Sequence, residues 1–193
     1  YRPPRKPSAV GPAGRSLYIL CVIKLPRIPV LLGALLLTSP AFGACADSPA
    51  PGVVWRRCLL DGVDLSGRDL TGATLRDTSF ARGRFVEAKL VGVDASDARF
   101  SFADLSNADL TSATLRSVDL TRAVLAGAVL KGADLRRATL FRADLRGADL
   151  TGAELAGANL SGAALGGARW LDGEKICAAA SVGSCPVSYT HLT

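Results

Sequence analysis

The chain has 193 residues and a formal net charge of +6, with 5 cysteines, 1 histidine and no methionine. The whole excess lies in residues 1–44, which hold Arg2, Arg5, Lys6, Arg15, Lys24 and Arg27 and no acid, whereas residues 45–193 balance 17 basic against 17 acidic residues. The basic character therefore says nothing of a nucleic-acid partner for the body of the chain, and the length leaves room for one domain with short extras.

Residues 1–21 are rich in Pro and Arg, show no periodicity and read as an upstream segment, non-native or disordered. Residues 22–43 carry the three parts of a cleaved secretory signal. Lys24 and Arg27 form a positive start, Ile28 to Leu37 is a mostly apolar run, and small residues from Ala41 to Ala46 flank the possible cuts. The run is short for a bilayer span. Residues 44–59, with Pro49, Pro51 and Trp55, read as an N-terminal cap. Residues 171–186 read as a C-terminal cap, and 187–193 match nothing in the body and are expected to be an artefactual tail.

A five-residue period governs residues 60–170. Counting every fifth position from Leu65 to Trp170 gives 22 markers, and all but Ala95 are large and apolar. Two residues before the marker stands Ala in 16 of the 22 units; the others are Val63, Arg68, Thr78, Gly83, Val93 and Val118. Two residues after the marker Gly is the commonest choice, as at Gly67, Gly127 and Gly147. A helix repeats near 3.6 residues and a strand near 2, so neither accounts for the pattern. A fixed short period is the signature of a solenoid. Each unit supplies a short extended piece, with the marker and the small residue two earlier on one side, followed by a turn. Four units close a coil of twenty residues, and coils stack through backbone hydrogen bonds about 4.8 Å apart.

The units Ala103-Asp104-Leu105-Ser106-Asn107, Ala133-Asp134-Leu135-Arg136-Arg137 and Ala148-Asp149-Leu150-Thr151-Gly152 resemble the A(D/N)Lxx units of the pentapeptide-repeat family. That resemblance implies an all-β fold, a right-handed quadrilateral parallel β-helix over 60–170, here with short disulfide-linked end caps. It says little of function, because the family includes DNA-mimicking gyrase-binding proteins and many members of unknown role.

Stacking at twenty residues sets Arg84 under Asp104, Lys89 under Asp109 and Arg99 under Asp119, with Asp134 under Glu154 as a like-charge pair. Arg68 falls on an inward position and is expected to leave through the open end or to meet Asp61. Cys45, Cys58, Cys177 and Cys185 form two local pairs at the ends of the array and read as disulfides Cys45–Cys58 and Cys177–Cys185 in an exported chain. Metal binding and lipidation of Cys45 are the rival readings. Arg82, Phe102, Arg122 and Arg142, with Phe141, fall on one edge near Arg116, Arg136 and Arg137, and an exposed Phe among arginines has the composition of a partner-binding edge. No catalytic residue, cofactor or metal site is expected, since the one histidine is His191, in the tail, and no phosphate-binding loop is present. The expected function is an exported, non-catalytic scaffold with an unknown protein partner, no nucleic acid and no stable membrane insertion after signal removal, in the periplasm or outside the cell. The alternative is a DNA-mimicking topoisomerase-binding protein.

Overall fold

The computed structural model describes residues 45–186. The upstream segment, the signal segment and the tail lie outside the described residues. Residues 39–193 form a compact unit of their own.

From Pro51 onward every unit repeats one backbone pattern: two turn residues, then three extended residues of which the middle one makes a β-bridge. The bridges are parallel and join each residue to the one 20 later, as in Asp104 with Arg84 below and Val124 above. They occur singly, and no extended strand forms among the described residues. The reason is local: three extended residues between turns leave one that can pair on both sides. Four such bridge columns and four turn columns run the length of the array. The pairing already includes Val54 with Thr74 and Leu59 with Ser79, inside the stretch read as a cap.

The turns, that at Arg56-Arg57 excepted, are closed by a bond from the fourth residue to the first, such as Ala103 N–H to Phe100 O at 3.0 Å. The third residue of a turn has positive φ, which favours Gly. Twelve of these residues are nonetheless not Gly, among them Phe102 at 61° and Arg122 at 55°. Turn residues also bond upward, so that Phe102 N–H reaches Thr121 O at 2.9 Å.

The marker residues and the small residues two before them form one core. Leu70, Leu75, Phe80, Phe85, Leu125 and Leu145 are wholly inaccessible, and so are Ala103, Ala123 and Ala143 or very nearly so. Near the N-terminal end Phe80 packs against Phe85 and Phe100, with centroids 5.3 and 5.0 Å away, and Trp55 lies 6.3 Å from Phe80. The coil with Phe80 and Phe85 also holds the small exceptions Gly83 and Ala95, which offset the volume of the rings.

The C-terminal cap turns back. Ile176 pairs antiparallel with Arg169, and Val182 with Ala164. Leu165 N–H bonds to Ser181 O, and Cys177 N–H to Ala168 O. This segment covers an edge that would otherwise offer unpaired backbone groups for association.

Candidate functional site

The residues singled out for a partner edge occupy a single turn column. Arg82, Phe102, Arg122 and Arg142 are each the third residue of a turn, the one with positive φ, and Phe141 is the second residue of the last of these. We call this column the phenylalanine corner. Its φ values of 58°, 61°, 55° and 55° point successive side chains outward from the same backbone position. The N–H of Arg82, Phe102, Arg122 and Arg142 bond in turn to the oxygens of Ser101, Thr121, Phe141 and Ser161, which fixes the spacing. Phe102 is 50% exposed. The Arg122 guanidinium lies over its ring, 5.6 Å from the centroid, and Arg142 lies 5.1 Å over Phe141. Each contact is a cation–π pair of about 0.5–1 kcal/mol at an exposed site.

The preceding turn column, the arginine corner, carries Arg56, Arg57, Arg76, Arg116, Arg136 and Arg137. A cavity of about 250 Å³ opens there, lined by Arg116, Ser117, Arg136 and Arg137. Arg116 Nε donates to the Asp134 carboxylate, and Arg136 reaches both Asp134, at 2.7 Å, and Glu154, at 3.2 Å. The expected repulsion between Asp134 and Glu154 is thereby bridged by one guanidinium. The hydrogen bond from Arg136 and the neighbouring Arg116 hold the Asp134 carboxyl well below the usual carboxylate range, against a smaller opposing effect of burial.

The other stacked pairs differ from expectation. None of Arg84–Asp104, Lys89–Asp109 and Arg99–Asp119 closes to an ion pair among the described residues. Four of the direct pairs run from a turn residue to the bridge residue 18 later, as in Arg76–Asp94 at 3.6 Å and Lys131–Asp149 at 3.3 Å. The cause lies in what the aspartates already do. Each accepts a hydrogen bond from the backbone N–H two residues ahead: Asp64 from Ser66 at 3.0 Å, Asp104 from Ser106 at 3.0 Å, Asp119 from Thr121 at 2.9 Å. Asn159 does the same for Ser161. Where the acid of a unit caps its turn, the carboxylate is held beside the following turn column, and among the described residues only Asp149 also closes a pair with the residue above, Arg169, at 3.7 Å.

Arg68 is exposed and does not meet Asp61. Asp61 instead accepts from Ser79 Oγ at 2.6 Å and from Ala81 N–H at 3.0 Å. A guanidinium is far more stable in water than in an apolar core, and the first coil leaves it that way out.

Cys45 is bonded to Cys58, with Cα atoms 5.6 Å apart, and Cys177 to Cys185, with Cα atoms 4.9 Å apart. Cys58 and Cys177 are buried, so each bridge ties an end segment to the core.

The model of pentapeptide repeats matches residues 58–94, 96–132, 119–155 and 133–170, in 8 copies. The chain belongs to the pentapeptide-repeat family. The search of curated proteins finds no match. Among solved structures, the pentapeptide repeat protein Rfr23 from the cyanobacterium Cyanothece 51142 is 25% identical over 54% of this chain and 85% of its own, with a TM-score of 0.49. QnrB1, a plasmid-mediated fluoroquinolone resistance protein, is 22% identical over 60% of this chain and 61% of its own, with a TM-score of 0.38. A pentapeptide repeat protein from the Arabidopsis thaliana thylakoid lumen is 28% identical over 65% of this chain and 85% of its own, with a TM-score of 0.31.

Proposed function

We propose that the protein is an exported, non-catalytic scaffold: a right-handed, four-sided β-solenoid that presents the phenylalanine corner to a protein partner. The domain plan is a signal segment over 22–43, end caps around the repeats, and a mature body in the periplasm or outside the cell. The observation that carries the partner edge is Phe102, half exposed with Arg122 stacked on it. Apolar area is held out on a rigid ladder where it contributes nothing to the core, and aromatic and arginine side chains dominate binding energy at interfaces. Export is supported by the apolar run behind Lys24 and Arg27 and by the two disulfides, which persist in oxidising compartments. The DNA-mimicking alternative asks for a strongly acidic surface, and here 17 acids are matched by 17 cations over residues 45–193.

A pull-down from the periplasm or medium with the oxidised body, repeated with Phe102→Ser plus Phe141→Ser, tests this reading. The variant should keep its fold and lose the partner; equal recovery removes the edge. Mass spectrometry of the protein made in a bacterium tests export, and an intact Ile28–Leu37 segment on soluble cytoplasmic protein would exclude it.

A further inference from the structure

The two arginine-bearing turn columns border one wall, the bridge column Leu59, Ser79, Arg99, Asp119, Thr139, Asn159. Together they form a strip running the length of the array, about 24 Å over five coils. The strip holds ten arginines (56, 57, 76, 82, 99, 116, 122, 136, 137 and 142) against four aspartates (61, 77, 97 and 119), a net +6. The remaining described residues carry seven cations against thirteen acids, a net −6. A chain body that is neutral in sum is thus polarised across its width.

Three further observations set this strip apart. First, positive-φ turn positions are cheapest as Gly. In the two columns of the strip nine of twelve such positions carry a side chain, against three of twelve in the other two columns. Backbone strain is accepted on this side, and retained strain points to use. Second, direct ion pairs are commoner off the strip, where four of the seven cations, Lys131, Arg146, Arg169 and Lys175, make one. On the strip only Arg76, Arg116 and Arg136 of the ten do, and Arg56, Arg57, Arg82, Arg99, Arg122, Arg137 and Arg142 make no ion pair with a described carboxylate. Third, its cations are all arginine, while Lys89, Lys131 and Lys175 lie elsewhere. Arginine matches phosphate with paired N–H donors, which lysine cannot do.

A net +6 spread over five coils asks for an equally extended array of negative charge, which a protein partner at the phenylalanine corner alone does not supply, so the strip as a whole suits a polyanion. Two of its residues are large, apolar and exposed: Leu59 at 79% and Phe102 at 50%. Single-stranded nucleic acid would need open ring faces for base stacking, and Phe102 and Phe141 are each covered by a guanidinium. Neither objection applies to a bilayer, whose headgroups take arginine and whose boundary takes Leu and Phe.

We propose that the strip docks the protein on an anionic phospholipid surface, with the arginines on headgroup phosphates, Leu59 and Phe102 at the acyl boundary, and the acidic sides facing away. This goes beyond the partner-edge reading, because it requires the arginine corner, which that reading leaves out. The test is flotation of oxidised residues 39–193, a compact unit of their own, with phosphatidylglycerol–phosphatidylcholine vesicles. Binding is expected to these vesicles and not to pure phosphatidylcholine, and to fall steeply in high salt. Arg57→Gln, Arg99→Gln and Arg137→Gln together should weaken it by about tenfold or more, since each cation near an anionic surface contributes. Arg84→Gln, Lys89→Gln and Lys131→Gln together should leave it within about twofold, for the same lost charge placed off the strip. An equal loss in both variants, no binding to anionic vesicles, or tighter binding to a single-stranded oligonucleotide would each overturn the proposal. The three strip substitutions spare the phenylalanine corner, so the pull-down partner should survive them, and the two readings can fail separately.

Discussion

Gly83 sits against Phe85 so closely that a Cβ on Gly83 would come within 2.9 Å of the Phe85 ring and of the Phe80 carbonyl oxygen. Its inward position carries Ala in most other units, and it is Gly here because the rings of Phe80, Phe85 and Phe100 already fill the layer. Gly83→Ala should therefore lower stability by about 1–3 kcal/mol as an overpacked core change. Urea denaturation measures it, and a neutral or stabilising result would mean that the rings have room to move.

Turn capping by the unit's acid makes a second prediction. Asp119 accepts from Thr121 N–H at 2.9 Å and from Ser101 Oγ at 2.5 Å. Asp119→Ala should cost about 0.5–1.5 kcal/mol for the lost hydrogen bonds. Asp119→Asn should recover most of that loss, because Asn159 shows the amide oxygen capping its turn equally well. If the two substitutions proved equally damaging, the carboxylate charge and not the cap would be responsible.

The same carboxylates set the acid limit. Hydrogen bonds from Ser66 lower the Asp64 pKa below its ordinary 3.8, those from Thr71 do so for Asp69, and those from Arg146 for Asp144. At Asp119 and Asp149 burial pushes upward but the hydrogen bonds prevail. The backbone and side chain of Lys175 bring Asp172 to about 2. A depressed folded pKa contributes stability that is present above the unfolded value and is lost as pH falls through the folded one. Denaturation midpoints should be level from about pH 5 to 8 and fall progressively below about pH 4. A midpoint that rose on acidification would contradict these assignments.

The Cys177–Cys185 bridge closes a loop of sequence separation 8. In the chain-entropy model such a loop is worth about 2.5 kcal/mol. Cys177→Ser with Cys185→Ser should release the antiparallel segment, so that amide protection drops at Leu165 and Gly167 while central residues such as Leu125 keep theirs. A thiol count on the unreduced body should find none free; loss of protection along the whole array would show that the cap governs more than its own end.

The core could be read directly from the order of residues. Leu105, Leu125 and Leu145 recur at an interval that neither helix nor strand tolerates, and the structure buries all three. The side chains on the outside were less legible. The spacing of twenty predicts which backbones stack, but Asp104 and Asp119 are bound to their own turns before they can meet Arg84 or Arg99, and nothing in the periodicity expresses that local competition. Arg68 obeys the register in its backbone and escapes it in its side chain. The antiparallel return of Ile176 and Val182 was hidden because two bridging residues make no pattern. The arginine strip spreads over five coils, and its residues become neighbours only after the chain is wound.

Because each column collects residues exactly one coil apart, the array has a natural unit of change. Gain or loss of twenty residues would lengthen or shorten the body while every column above kept its place. Gain or loss of a single five-residue unit would preserve the core equally well, yet would turn everything above it by one side and cut the arginine strip in two. Descendants of this chain that keep the strip should therefore differ in length by whole coils, while those that have lost it are free to drift in steps of five.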